Sequence, residues 1–182
     1  MSSPAAELCL QPRPSGLSRD AFIKHYGDIY EHSPWVAQAA WETGLTSAHD
    51  HPDALADAMG LQLQQAGSDQ QIRVIQAHPD LAGKAAMAGK LTQDSTSEQA
   101  GAGLDQCTPA EFARFEQLNA DYKERFGFPF VIAVKGLDRH AILEAFAKRL
   151  ENDVATERKT AIEQIIRIAR LRLRARAAEQ QQ

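Results

Sequence analysis

Residues 108–134 read TPAEFARFEQLNADYKERFGFPFVIAV, and the two halves of this stretch decide the fold. It opens on Thr108-Pro109-Ala110-Glu111, a capping box with proline at the first helical position, where its missing N–H is no loss. The helix so started is expected to run to about Arg125, with Phe112, Phe115, Leu118 and Tyr122 facing inward. The texture then changes. Residues 126–134, FGFPFVIAV, are the one β-leaning stretch of the chain. A strand needs a partner strand, and the rest of the sequence offers none. It holds 31 Ala against 5 Val, the best helix former against a strand former. The stretch is therefore expected as a buried extended segment of an all-helical protein. Backbone buried without a ladder must find other hydrogen-bond partners, and a polar ligand is one such partner.

The same signals recur on either side. Ser18 reads as an N-cap, and the helix after it places Phe22, Tyr26, Ile29 and Tyr30 on one face. Ser33-Pro34 starts a second helix, with Trp35, Val36, Ala39 and Ala40 on its apolar side. A third is expected from near Pro52 to Ala66. Ser68 caps a fourth, which ends by His78-Pro79 because proline disfavours helix in the residue before it. Residues 79–96 read mostly as loop, with a short helix over 97–104. Asp138 caps a helix reaching about Leu150, and Asp153 caps the last one. The expectation is an all-α, single-domain bundle of about 7–9 helices with one buried extended segment near residues 127–134. Residues 1–16, with Pro4, Pro12, Pro14 and Gly16, read as an irregular lead-in. Residues 17–176 form the helical domain and 177–182 a polar tail.

Composition excludes several classes. The chain has 182 residues, is 43% apolar and 24% charged, and carries a net charge of −4. That is ordinary globular material. No apolar run approaches the roughly 20 residues that span a bilayer, and no charged-then-apolar leader opens the chain. Two cysteines, Cys9 and Cys107, rule out a disulfide framework and an all-cysteine metal cluster. Mild acidity argues against nucleic acid as a partner. The charge is uneven, however. Residues 157–176 carry seven basic side chains against Glu157 and Glu163, a net +5 that leaves −9 on the remainder. Such a helix is a solvated face, a subunit contact or a site for a polyanion.

No phosphate loop, dinucleotide fingerprint or HExxH occurs. Among six histidines, His49-Asp50-His51 is the one close pair, and nothing nearby in sequence completes a metal ligand set. His78 stands at a helix end before the turn sequence Pro79-Asp80-Leu81-Ala82-Gly83. A histidine there is a dipole partner or, given the polar cluster that follows, a catalytic group. Ser95, Glu98 and Gln99 share one face if helical, offering a hydroxyl, a carboxylate and an amide. Alternatively Ser95 or Ser97 is a cap with Glu98 in the first turn. In the last helix Ile162, Ile165, Ile166, Ala169 and Leu173 form an apolar stripe at about 100° per residue. Arg172 falls inside that arc, whereas Arg167, Arg170 and Arg174 fall outside it. A buried arginine needs a core carboxylate or a bound anionic or carbonyl ligand.

At these residues the chain resembles the OHCU decarboxylases, OHCU being 2-oxo-4-hydroxy-4-carboxy-5-ureidoimidazoline. The resemblance rests on five motifs in order: residues 31–36 (EHSPWV), 78–83 (HPDLAG), 91–99 (LTQDSTSEQ), 125–131 (RFGFPFV) and 168–173 (IARLRL). It spans nearly the whole chain. It implies an all-helical fold, a homodimer, no metal or organic cofactor, and the last step from urate to (S)-allantoin; a cytoplasmic enzyme is expected separately, because Gln180–Gln182 is not a peroxisomal Ser-Lys-Leu signal. His78 corresponds to the family's catalytic histidine and Glu98 to one of its substrate-holding polar residues; from the chemistry, Glu98 is also expected to fix the orientation and charge state of His78. Pro79, Ser95, Gln99 and Arg172 correspond to substrate-holding residues. Phe130, Val131, Ile132, Ala133 and Val134 correspond to the backbone that hydrogen-bonds the ring. Three other readings stand beside this one. They are a non-enzymatic helical binding module using the Arg-rich helix, a metal-dependent hydrolase on His49 and His51, and a relative acting on another ureido acid.

Overall fold

The computed structural model describes residues 8–180. Residues 1–7 of the expected lead-in and 181–182 of the expected tail lie outside the described residues. Among the described residues there are nine α-helices, three 3-10 turns and no strand. The all-α expectation holds. The helices are α1 (Arg19–Tyr26), α2 (Trp35–Glu42), α3 (Pro52–Gln65), α4 (Ser68–Gln76), α5 (Lys84–Met87), α6 (Gln93–Gly101), α7 (Pro109–Phe126), α8 (Arg139–Arg149) and α9 (Val154–Glu179). No helix among the described residues is long and apolar enough to cross a membrane.

The chain packs as two compact units. One comprises the described residues up to Gln71 together with those from Ile166 onward. The other is residues 72–165. In the first, α1 packs on α2 and α2 on α3. Their buried faces bring together Phe22, Tyr26, Val36, Ala40, Leu55, Met59 and Leu63. Ile29 and Tyr30, expected on the first helix, are buried in the turn after it, because α1 stops at Tyr26. The lead-in is irregular but tied down. Leu10 is fully buried and its N–H donates to Asp50 O at 2.8 Å. Ser15 donates from N and Oγ to the Asp50 carboxylate, each at 2.9 Å.

The second unit is built around α7. Its capping box forms as expected, with Thr108 Oγ1 accepting from Glu111 N and Glu111 Oε1 accepting from Thr108 N. Gly127 ends the helix at φ +77°, a left-handed conformation that glycine adopts without a Cβ penalty. Tyr122, Phe126, Phe128, Phe130 and Phe146 then form one aromatic cluster, with Phe130 stacked on Phe146 at 3.9 Å. The extended segment has no ladder, as expected, and two of its backbone groups are satisfied by side chains. Arg149 Nη1 donates to Val131 O at 2.7 Å, and Ala133 N donates to Gln164 Oε1 at 3.0 Å. Arg149 lies over the Phe130 ring at 4.4 Å and is paired with the fully buried Glu157, its Nε 3.0 Å from Oε2.

The region expected to be mostly loop is irregular over 79–83 and 88–92 but carries helix as well, and the helix after it is the main correction. Residues 79–96 contain α5 and the start of α6, which begins a full turn ahead of the expected 97–104 helix and ends at Gly101. Thr92, not Ser95 or Ser97, is the cap: its Oγ1 accepts from Ser95 N at 3.3 Å. These helices are short and carry little apolar periodicity, so only the cap chemistry marks them.

Candidate active site

α4 stops at Gln76 because Pro79 excludes helical geometry from the residue before it. His78 is left at the helix end, buried at 8% exposure. Its Nδ1 lies 3.0 Å from Val74 O. A carbonyl oxygen only accepts, so Nδ1 carries the proton and donates it. In the neutral ring Nε2 then bears the lone pair, and it is the nitrogen that takes up or gives a proton. Anchoring to the last turn of α4 and a defined tautomer are thus one and the same arrangement. The two sequence readings of His78 do not compete.

The turn after His78 is held from two helices. Gln99 of α6 donates from Nε2 to Asp80 O at 3.2 Å and accepts from Ala82 N at Oε1, 3.0 Å away. Asn119 of α7 donates from Nδ2 to Leu81 O at 3.0 Å. Lys123 Nζ stands 2.6 Å from Asp80 Oδ2. Ala82 sits at φ +49°, a conformation a Cβ-bearing residue rarely adopts. A Cβ on Gly83 would lie 2.7 Å from Asp80 Cβ, so only glycine closes the turn without a shift.

α6 does carry Ser95, Glu98 and Gln99 on one face. Ser95 and Gln99 are buried; Glu98 and Pro79 are half-buried. Gln99 is tied to the turn by both ends of its amide, although each end keeps one further hydrogen-bonding position. Phe130, Val131, Ala133 and Val134 are buried and Ile132 half-buried.

Arg172 belongs to the other unit, where it is buried as its place in the apolar arc requires. Its Nη2 pairs with Glu31 Oε1 at 3.0 Å and its Nη1 donates to Ile29 O at 3.3 Å. Glu31 is itself 2% exposed. A core carboxylate is therefore one of its partners. The sequence by itself assigns no pairing role to Glu31, Asn119, Lys123, Arg149, Glu157 or Gln164. For Glu157 and Asn119 the signal was present, since each is a polar residue on an otherwise apolar helix face. For the others the pairing is purely tertiary.

The histidine pair does not form a metal centre. His49 Nδ1 accepts from Thr46 N at 2.9 Å, and His51 Nδ1 accepts from Asp53 N at 3.2 Å. Both rings act as helix caps. Among the described residues no group of three or more His, Cys, Asp or Glu is placed to hold a metal ion.

Comparison with known proteins agrees with these features. The family model for OHCU decarboxylase matches residues 15–174. The 2-oxo-4-hydroxy-4-carboxy-5-ureidoimidazoline decarboxylase of Haloferax volcanii is 40% identical over 167 residues, covering 92% of this chain and 95% of that one. The enzyme of the same name from Halalkalicoccus jeotgali is 38% identical over 155 residues, covering 85% and 84% of the two chains. The crystal structure of an (S)-allantoin synthase superposes with a TM-score of 0.70 at 29% identity, over 90% of this chain and 52% of that one. With an all-helical fold, a family match across almost its whole length and relatives of equal extent, the chain belongs to the OHCU decarboxylase family.

Proposed function

We propose that this chain decarboxylates OHCU to (S)-allantoin, needing no metal or organic cofactor, with residues 17–176 as the catalytic domain. The observation that carries the reading is the imidazole of His78, buried, fixed in one tautomer by Val74 O, and set at the head of a braced turn. The chemistry asks for such a group. The bond to the carboxylate breaks and CO2 leaves. Its electron pair enters the conjugated C=N of the substrate ring, a sink that the substrate itself supplies. A proton must then reach the neighbouring ureido-bearing carbon, the carbon of that C=N, on one face only, while the hydroxyl on the carbon that lost CO2 gives up its proton to become the ring carbonyl. A positioned histidine moves protons near neutral pH, and a fixed one moves them to a fixed face.

In this reading His78 is the proton carrier and Glu98 sets its orientation and charge state. Ser95, Gln99 and Pro79 hold the substrate, and the backbone of residues 130–134 hydrogen-bonds the ring. Arg172 is assigned to the ring or ureido oxygens. Negative charge grows there as it leaves the carboxylate, so an arginine there stabilises the transition state more than the ground state. Arg172→Ala is expected to lower kcat more than it raises KM; the reverse would move the arginine to the leaving carboxylate. The working form is a homodimer in the cytoplasm.

The test is the circular dichroism of allantoin made from urate by urate oxidase and hydroxyisourate hydrolase, with and without this protein. A rapid (S)-allantoin signal that His78→Ala abolishes supports the reading. No acceleration and no chirality from folded protein would remove it.

A further inference from the structure

Asn119 is the group that the proposed chemistry does not use and that packing alone does not explain. It lies on the buried face of α7 between Leu118 and Tyr122, at 6% exposure. Its Nδ2 donates to Leu81 O. The amide cannot be turned over, because that would set two acceptors against each other. Its Oδ1 is buried and has no hydrogen-bond partner. A buried acceptor left unpaired destabilises a fold, so a leucine would suit this position better if packing were its only duty. What the asparagine uniquely supplies is the donor to Leu81 O. That bond falls on the middle residue of a turn that is already strained at Ala82 and gripped by Gln99 on either side, at Asp80 O and Ala82 N. Three successive residues of the turn after His78 are thus clamped by two buried carboxamides, one from α6 and one from α7.

We propose that Asn119 is a positioning residue for His78: through Leu81 it fixes the turn and thereby the direction in which the imidazole delivers its proton. The inference rests on the proposed decarboxylase reading. It separates two properties that a structural residue would change together. Losing the clamp lets the turn relax, and a misplacement on the order of 1 Å in a reacting group lowers turnover by about a hundredfold. It also lets the proton arrive on either face. Substrate binding, held by other groups, changes less.

The experiment compares wild type, Asn119→Ala and Asn119→Leu for kcat, KM, thermal midpoint and enantiomeric excess of the allantoin formed. The unassisted background is subtracted from each. The expected result is a folded variant with kcat down about tenfold to a hundredfold, KM within about threefold, and a lower enantiomeric excess. Asn119→Leu is expected to unfold no earlier than wild type. Unchanged enantiomeric excess and kcat in folded variants would overturn the proposal. Failure of both variants to fold would overturn it too, by assigning Asn119 to the fold. Failure of the decarboxylase reading looks different, since wild type itself would then give no chiral product.

Discussion

Glu157 has no exposed surface, yet it bears a carboxylate with three side chains on it. Arg149 Nε approaches its two oxygens at 3.0 and 3.3 Å, Asn152 Nδ2 donates to it at 2.8 Å, and the Tyr122 hydroxyl donates to it as well. Burial, then the hydrogen bond to Glu157, hold the Tyr122 hydroxyl far above its ordinary range, so it stays a donor at any working pH. Because Arg149 also grips Val131 O, this network fixes the extended segment. Removing one member leaves the others buried without compensation. Glu157→Met is expected to lower unfolding free energy by about 3–5 kcal/mol, and Tyr122→Phe by about 1–3 kcal/mol. Urea denaturation measures both. A loss under about 1 kcal/mol for Glu157→Met would mean that Arg149 finds other partners and the network is not what holds the segment. The sequence foretold part of this. Arg172 was legible because it interrupts an apolar stripe. The same wheel sets Glu157 in line with Ala161 and Ile165, and sets Asn119 beside Leu118 and Tyr122. A polar residue on a buried face announces that a partner exists. It does not say which, because Glu31 and Arg172 meet only through folding.

Helix starts are where local chemistry is strongest, and there the sequence could be read almost directly. Ser18, Thr108, Asp138 and Asp153 each accept from the backbone three residues on, at 3.3, 3.2, 2.8 and 2.7 Å. The α5–α6 region was not legible in the same way. Its helices are short, polar and rich in small residues, so no apolar period announces them. Thr92 was the signal, and its removal has a defined consequence. Thr92→Ala is expected to cost about 1 kcal/mol in urea denaturation. The same change should raise KM, because α6 carries Ser95, Glu98 and Gln99. Full stability in Thr92→Ala would show that α6 is held by packing rather than by its cap. Asp138 gives a pH-dependent counterpart. The N–H of Ala141 holds its carboxyl below the usual aspartate range. A depressed value in the folded state means that the contribution is complete above the ordinary range and is lost as pH falls through the lowered value. Asn caps without titrating, so Asp138→Asn should flatten this part of the acid-induced loss of stability while leaving neutral stability nearly unchanged.

For the molecule as a whole, the basic surplus of the last helix is the feature that could have pointed away from catalysis. The structure shows where much of that charge goes. Arg170 pairs with Asp57 and lies 3.6 Å from Asp53. Arg174 grips Asp53 with two bonds at 2.6 and 2.9 Å, and Arg176 grips Asp28 with two at 2.9 Å. The acidic excess elsewhere in the chain is in part the counterpart of this helix, within one compact unit. A module for polyanions would present those arginines to solvent without carboxylates attached. Wild-type protein is therefore expected to leave a heparin column at low salt, and Asp53→Asn to be retained longer because it releases Arg174 and removes one of the two carboxylates beside Arg170. Stability should follow the opposite course. The hydrogen bond from Arg174, more than the surrounding charge, holds the Asp53 carboxyl below its ordinary range. Its contribution is present at neutral pH and fades as acid protonates the folded carboxylate. Asp53→Asn should therefore be less stable than wild type near neutrality, and the two urea curves should converge below the ordinary aspartate range. Added salt should narrow the neutral gap, since these pairs are partly exposed and screened. Strong heparin retention of the wild type, with no gain in Asp53→Asn, would restore the binding-module reading; convergence of the curves in acid with weak retention would leave the arginines as internal ties of the fold.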